Sequence, residues 1–254
     1  MLKIPKLTVV GAGPGDVELI TLKAIKAIES ADVILYDALI NEELLEYASK
    51  DAEVIFVGKR KGCYAFQQDQ INELIVVKAK EKGHVVRLKG GDPFIFGRGT
   101  EEIEYAESFG LETYVVPGIS SVSAVPAYQG ISLTKRHTSE SFWVITGTTK
   151  NHQLSEDVAL AAKSTATVVI LMGMAKLEEI VNIFSAENKQ DTAVAIVQEG
   201  TTANEKIGIG TIGTIQQIVE ENKLTSPAII VIGDVVKERV KLTSLYKDVA
   251  GNNQ

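Results

Sequence analysis

The chain has 254 residues, 45% hydrophobic and 23% charged, with a formal net charge of −7. That balance belongs to a globular chain of one large or two medium domains and excludes disordered and low-complexity classes. Its sign disfavours a generic nucleic-acid or anionic-membrane binder.

In chain order, the pattern alternates short apolar runs with amphipathic stretches. Leu7–Val10 predicts a strand that ends in Gly11-Ala12-Gly13-Pro14-Gly15, and Leu19–Ile28 has helical spacing. Val33–Tyr36 predicts a second strand, followed by Asp37 and by Asn41 as the cap of a helix through Tyr47. Val54–Val57 is a third strand leading into Gly58-Lys59-Arg60-Lys61-Gly62. Gln67–Lys80 is helical, with Ile71, Leu74, Ile75 and Ala79 on one face. Val85–Leu88 is a fourth strand, and Thr100 is placed to cap a helix to Phe109. Thr113–Val116 is a fifth, closed by Pro117-Gly118. Such alternation means βαβ units and a parallel sheet. The second half repeats it less cleanly, with strands at Phe142–Ile145, Thr167–Leu171, Ala193–Val197, Lys206–Ile209 and Ala228–Ile232. Helices are expected near Val158–Ala162, Lys176–Phe184 and Thr214–Asn222, and the polar tail after Lys237 is peripheral. The expected domains are 1–117 and 118–254, both α/β.

No apolar run approaches the roughly 18 residues of a membrane span. The first six residues lack the apolar core of a signal peptide. One cysteine, Cys63, permits no internal disulfide, and a reducing, cytoplasmic setting follows. Three histidines, all far apart, offer no metal-ligand spacing, so no metal is expected.

The chemistry-bearing residues fall on loops that follow strands. The run Gly11 to Asp16 invites a dinucleotide-binding reading, but that fingerprint needs a third glycine or alanine where Asp16 stands, and Pro14 removes an amide donor. The stretch Lys89-Gly90-Gly91-Asp92-Pro93 through Gly99 is glycine-rich after the fourth strand, where ligands of open α/β sheets sit. Pro117-Gly118-Ile119-Ser120-Ser121 opens a helix, with hydroxyls able either to cap it or to bond a ligand. Four of the five arginines (Arg60, Arg87, Arg98, Arg136) fall between residues 60 and 136. Arginine forks suit carboxylates and phosphates, although Arg87 lies within a strand and is the poorer candidate. Four loops of one sheet edge thus carry Pro14, Asp37, Lys59 and Asp92.

Together these residues resemble the tetrapyrrole methylase family. The resemblance runs nearly end to end: VGAGPGDVELITLKA (10–24), VILYDALI (33–40), VGKRKG (57–62), QDQIN (68–72), VVRLKGGDPFIFGRGTEE (85–102), VVPGIS (115–120), PAYQGISLT (126–134), LMGM (171–174), EGT (199–201) and SPAIIVIGDVV (226–236). The YD, GKR, QxxIN and FGRG elements point to the branch that methylates uroporphyrinogen III.

The resemblance implies two α/β domains with S-adenosylmethionine in the trough between them, and a homodimer. It implies cofactor contacts at Pro14, Gly90, Gly91, Asp92, Ile95, Ser120, Ser121, Met172, Gly200 and, more weakly, Ala228. Asp37 would be the proton acceptor and Lys59 the proton donor. The implied reaction is methyl transfer at C2 and C7 of uroporphyrinogen III, giving precorrin-2 and S-adenosylhomocysteine. Eight substrate carboxylates would account for Arg60, Lys61, Arg98, Lys135 and Arg136. A later precorrin methyltransferase and, from a different class, an NAD(P)-binding oxidoreductase are the alternatives.

Overall fold

The computed structural model describes residues 4–58 and 66–242, in two compact units, 1–121 and 122–254. In the first unit the strands are β1 (Lys6–Gly11), β2 (Val33–Tyr36), β3 (Glu53–Phe56), β4 (His84–Lys89) and β5 (Glu112–Val116). They form one sheet in the order β3-β2-β4-β1-β5, with every neighbouring pair parallel. The carboxyl ends of all five therefore lie along one edge.

Alternating side chains point to opposite faces of this sheet. Leu7, Val9, Val33, Leu35 and Val85 pack against α2 (Gln68–Lys82) and Ala106 of α3 (Gly99–Ser108). Val10, Ile34, Val86 and Leu88 pack against Ala24 and Ile28 of α1 (Leu22–Glu29) on the other face. Both faces are covered, which is why these strands read as near-continuous apolar runs.

Three local expectations need correction. The stretch 19–28 is not one helix. Asp16 Oδ1 accepts from the Glu18 backbone N–H and caps a short 3₁₀ turn, Val17–Leu19, and α1 begins only after Thr21, whose hydroxyl caps Ala24 N. Asn41 does cap the next segment, but Glu42–Tyr47 winds as 3₁₀ rather than α. Thr100 lies inside α3. The cap position belongs to Arg98, in left-handed backbone (φ 60°): Gly99 N donates to the Pro93 carbonyl at 3.0 Å and starts the helix two residues earlier than a Thr100 cap would.

The second unit contains α4 (Ser121–Tyr128), β6 (Phe142–Thr146), α5 (Asp157–Lys163), β7 (Thr167–Leu171), α6 (Leu177–Ala186), β8 (Ala193–Gln198), β9 (Lys206–Thr211), α7 (Ile215–Glu221) and β10 (Ala228–Ile232). Its sheet runs β6-β7-β10-β8-β9 and is mixed: β6 and β7 are parallel, while β10 is antiparallel to both β7 and β8, and β8 to β9. Helices α5, α6 and α7 cover one face and residues of α4 the other. Among the described residues, no helix is long and apolar enough to cross a membrane.

Candidate active site

The sheet edge of the first unit is built by backbone locking onto backbone. The loops after β1 and β4 exchange hydrogen bonds: Gly13 N donates to Gly91 O at 3.2 Å, Gly91 N to Gly13 O at 2.7 Å, and Ala12 N to Lys89 O at 2.8 Å. The loop after β5 closes on the same point. A methyl group added to Gly11 would stand 2.5 Å from Gly118 N and 2.7 Å from Gly91 O, so glycine is required there for three main chains to meet. Gly91 itself holds φ +65°, and beyond it lie only Ser121 N and Ser120 Cα, 3.9 and 4.0 Å from the same kind of added carbon.

Asp92 fastens this junction. Oδ2 accepts from Gly118 N at 3.1 Å and Oδ1 from Phe94 N at 2.8 Å. The chain then turns outward, leaving Phe94, Ile95 and Phe96 exposed, with Phe96 in left-handed backbone. The turn at Asp16 settles the dinucleotide question: no α-helix opens on the glycine loop, so the pyrophosphate cradle of that fingerprint is not built.

Beside this junction lies a buried charge network. Arg87 and Lys89 stand two apart on β4 and share the face covered by α2 and α3. Leu35 is the register partner of Arg87, and Asp37, two residues on, shares its face. Glu102 of α3, 0% exposed, receives Arg87 Nε at 3.1 Å, Lys89 Nζ at 2.9 Å and Gln68 Nε2 at 3.2 Å, all on Oε1. Its Oε2 is buried and has no hydrogen-bond partner among the described residues. Arg87 Nη1 donates to the Leu88 and Leu35 carbonyls at 2.8 and 3.4 Å, and Nη2 reaches Asp37 Oδ2 at 3.3 Å. Asp37 Oδ1 accepts from Leu39 N at 3.0 Å. Burial pushes the Lys89 ammonium below the ordinary lysine value of 10.5, with the Arg87 charge adding to the shift and Glu102 opposing it.

The sequence does not announce this network: Arg87, within a strand, reads as a poor candidate for a ligand contact. A signal is present all the same: two cations at i and i+2 in VVRLK must share one face, and a central strand has no solvent for them. His84, also buried, is a structural residue, its Nδ1 bonded to the Ser30 carbonyl at 2.9 Å and its Nε2 to the Thr8 hydroxyl at 2.8 Å.

Of the proposed proton-transfer pair, the structure places Asp37 at the strand edge with its side chain 23% exposed. Lys59, Arg60, Lys61 and Cys63 lie outside the described residues. Arg98 and Lys135 are half-exposed but not idle. Arg98 forks onto Glu101 at 3.0 and 2.5 Å, and Lys135 meets Glu238 at 2.6 Å. Lys135, and then the Thr138 hydroxyl, hold the Glu238 carboxyl below its ordinary range. Arg136 is exposed and lines a shallow cavity of about 390 Å³ with Thr134, Lys135, His137, Ser139 and Glu140.

In the second unit, three non-glycine residues at strand ends adopt left-handed backbone: Met172 after β7 (φ 56°), and Glu199 and Thr201 after β8 (φ 47° and 67°). The Met172 carbonyl accepts from the Thr148 hydroxyl at 2.9 Å, while its side chain is half-exposed. Gly200, between the other two, is buried against Val125, and a methyl there would fall 2.5 Å from Val125 Cγ1. Ala228 begins β10, half-buried. Strain of this kind concentrates at functional sites.

Residues 6–216 match the model of the tetrapyrrole (corrin/porphyrin) methylases. The uroporphyrinogen-III C-methyltransferase of Methanocaldococcus jannaschii is 48% identical over 233 residues, 91% of this chain and 96% of that protein. The enzyme of the same name from Priestia megaterium is 44% identical over 91% of this chain and 98% of its own length. The siroheme synthase of Nitrosomonas europaea is 42% identical, but the chain spans only 49% of it. Among solved structures, uroporphyrin-III C-methyltransferase from Thermus thermophilus in complex with S-adenosylhomocysteine superimposes with a TM-score of 0.79 at 31% identity, over 92% of this chain and 99% of that one. A cobalt precorrin-4 methyltransferase gives 0.82 at 26% identity, over 91% and 95%.

Proposed function

The chain belongs to the tetrapyrrole (corrin/porphyrin) methylase family, and we infer that it works as an S-adenosylmethionine-dependent C-methyltransferase on uroporphyrinogen III, methylating C2 and C7 to give precorrin-2. The observation that carries this reading is the 48% identity to a uroporphyrinogen-III C-methyltransferase across nearly the full length of both proteins. Backbone similarity alone would not separate the reading from a later precorrin methyltransferase, since that structure superimposes equally well. Sequence similarity does, because the precorrin enzyme shares only 26% identity.

The residues present suit the cofactor. Gly11, Gly91 and Gly118 leave a sheet edge of bare main chain, and Phe94 and Ile95 give it an exposed apolar border. When bound, S-adenosylmethionine supplies an electrophilic methyl group on a sulfonium. Pro14, Gly90, Gly91, Asp92, Ile95, Ser120 and Ser121 are the residues of the first unit that would hold it. Asp92 does so indirectly, by fixing the loops it braces. Met172, Gly200 and Ala228 are the corresponding candidates of the second unit.

The chain's task is then alignment and proton transfer. Holding a pyrrole carbon in line with a methyl group replaces a costly bimolecular encounter. Each C-methylation leaves the macrocycle with a positive charge that is discharged by loss of a proton. Asp37, exposed enough to meet substrate, is the acceptor, and Lys59 is the donor that returns a proton where the rearranged macrocycle needs one. Arg60, Lys61, Arg98, Lys135 and Arg136 are the candidates for the substrate carboxylates. For Arg98 and Lys135, binding means exchanging Glu101 and Glu238 for a substrate carboxylate. That exchange is cheap, because exposed pairs are worth only about 0–1 kcal/mol. We further propose that the chain works in the cytoplasm as a homodimer.

Incubating the purified protein with S-adenosylmethionine and uroporphyrinogen III should give a product bearing two added methyl groups, heavier by two CH2 units. A well-folded preparation that binds S-adenosylhomocysteine yet yields no such product would overturn the assignment.

A further inference from the structure

Asp37 sits at the end of a strand. Its Oδ1 accepts from Leu39 N at 3.0 Å, and among the described residues its Oδ2 is held from within the sheet, by the outer nitrogen of Arg87 at 3.3 Å. That guanidinium is 4% exposed and fixed by every other contact it makes: Nε to Glu102 and Nη1 to two main-chain carbonyls. Glu102 is in turn fully buried and fixed by Lys89 and Gln68, and Gln68 is steadied by Asn72 Oδ1 at 2.9 Å.

Nothing in core packing asks for this arrangement. A buried set of charges rarely stabilises a fold better than apolar residues of similar size. Here it also leaves Glu102 Oε2 without a hydrogen-bond partner among the described residues. The geometry runs in one direction, from α3 through β4 to the Asp37 carboxylate at the sheet edge.

We propose that Arg87 is a positioning residue for methyl transfer, anchored by Glu102 and Lys89, whose function is to hold the Asp37 carboxylate in the orientation that accepts the substrate proton. This rests on the reading of Asp37 as proton acceptor. Arginine is needed rather than lysine, because only a planar fork reaches Glu102 with one nitrogen and Asp37 with another.

The test compares kcat, KM for uroporphyrinogen III and calorimetric affinity for S-adenosylhomocysteine in Asp37→Ala, Arg87→Met, Arg87→Lys and the double variant Asp37→Ala/Arg87→Met. Arg87→Met should lower kcat by about 10²-fold, the scale of an ångström-sized misplacement, with KM and S-adenosylhomocysteine affinity within about twofold of the parent. Arg87→Lys keeps the buried positive charge and tests the fork if the methionine variant fails to fold. It should bind S-adenosylhomocysteine normally and still turn over about tenfold more slowly. The double variant should be no slower than Asp37→Ala, since the arginine acts only through the aspartate. A folded Arg87→Lys with parental kcat, or single effects that simply multiply in the double variant, would overturn the proposal while leaving Asp37 its role. Parental activity in Asp37→Ala would instead remove the acceptor reading itself.

Discussion

At the scale of single residues, the site is decided by what is missing as much as by what is present. Gly11 has no room for a β-carbon: Gly118 N, Gly118 Cα and Gly91 O would stand 2.5, 2.6 and 2.7 Å away, all of them backbone. Gly11→Ala should therefore destabilise the protein by about 1–3 kcal/mol in urea titration and weaken S-adenosylhomocysteine binding with it. Unchanged stability would mean that the three loops do not meet this closely. Lys89 offers a second check. Burial and Arg87 lower its folded-state pKa from 10.5, so approaching that pH the fold holds fewer protons than the unfolded chain. The stability contributed by this residue rises with pH through that window. Wild type should gain stability relative to Lys89→Met as pH is raised from neutral toward 10.5, and a flat or shrinking difference would contradict the burial. Both residues show what the sequence carried and what it hid. GAGPGD and GGDP announce close backbone approach in their glycines, but which glycine faces which main chain follows only from strand order. Arg87 lies within a strand and is buried there. Its partner Glu102 is 15 residues away on a helix, beyond any local pattern.

At the scale of elements, the first unit was legible because each strand is a short apolar run followed by a helix, and right-handed parallel crossovers leave few other arrangements. The helix expected at 19–28 failed through a side chain rather than through periodicity: Asp16 bonds its own local backbone and diverts the chain into a 3₁₀ turn. The mixed order of the second sheet was less legible. Apolar alternation does not record strand direction, and the clearest hint, the seven residues 199–205 joining β8 to β9, is a connection too short for a parallel crossover. The strand ends of this unit also hold the left-handed Met172. If that backbone is kept for ligand binding, Met172→Gly should leave thermal stability unchanged or improved, since glycine relieves about 1 kcal/mol of strain, while weakening S-adenosylhomocysteine binding about tenfold. Lower stability with undiminished binding would assign Met172 to packing instead.

At the scale of the whole molecule, the net charge of −7 argued against large polyanions and says little about a small one. Binding of an octacarboxylate depends on a few local cations. Arg98 and Lys135, two of the proposed contacts, are half-exposed and each paired with a single carboxylate, Glu101 and Glu238. Such contacts are screened within about 10 Å at 0.1 M salt. The KM for uroporphyrinogen III should thus rise steadily with ionic strength while S-adenosylhomocysteine affinity changes little, and a salt-independent KM would remove the cationic residues from substrate binding. The proposed reaction methylates this macrocycle at two particular carbons. It is tested most directly by supplying S-adenosylmethionine labelled with carbon-13 in its methyl group and locating the label in the product by nuclear magnetic resonance. Two labelled methyl groups are expected, at C2 and C7 of the uroporphyrinogen III skeleton. Label at any other carbon, on nitrogen or oxygen, or only when a precorrin is offered as substrate would contradict it.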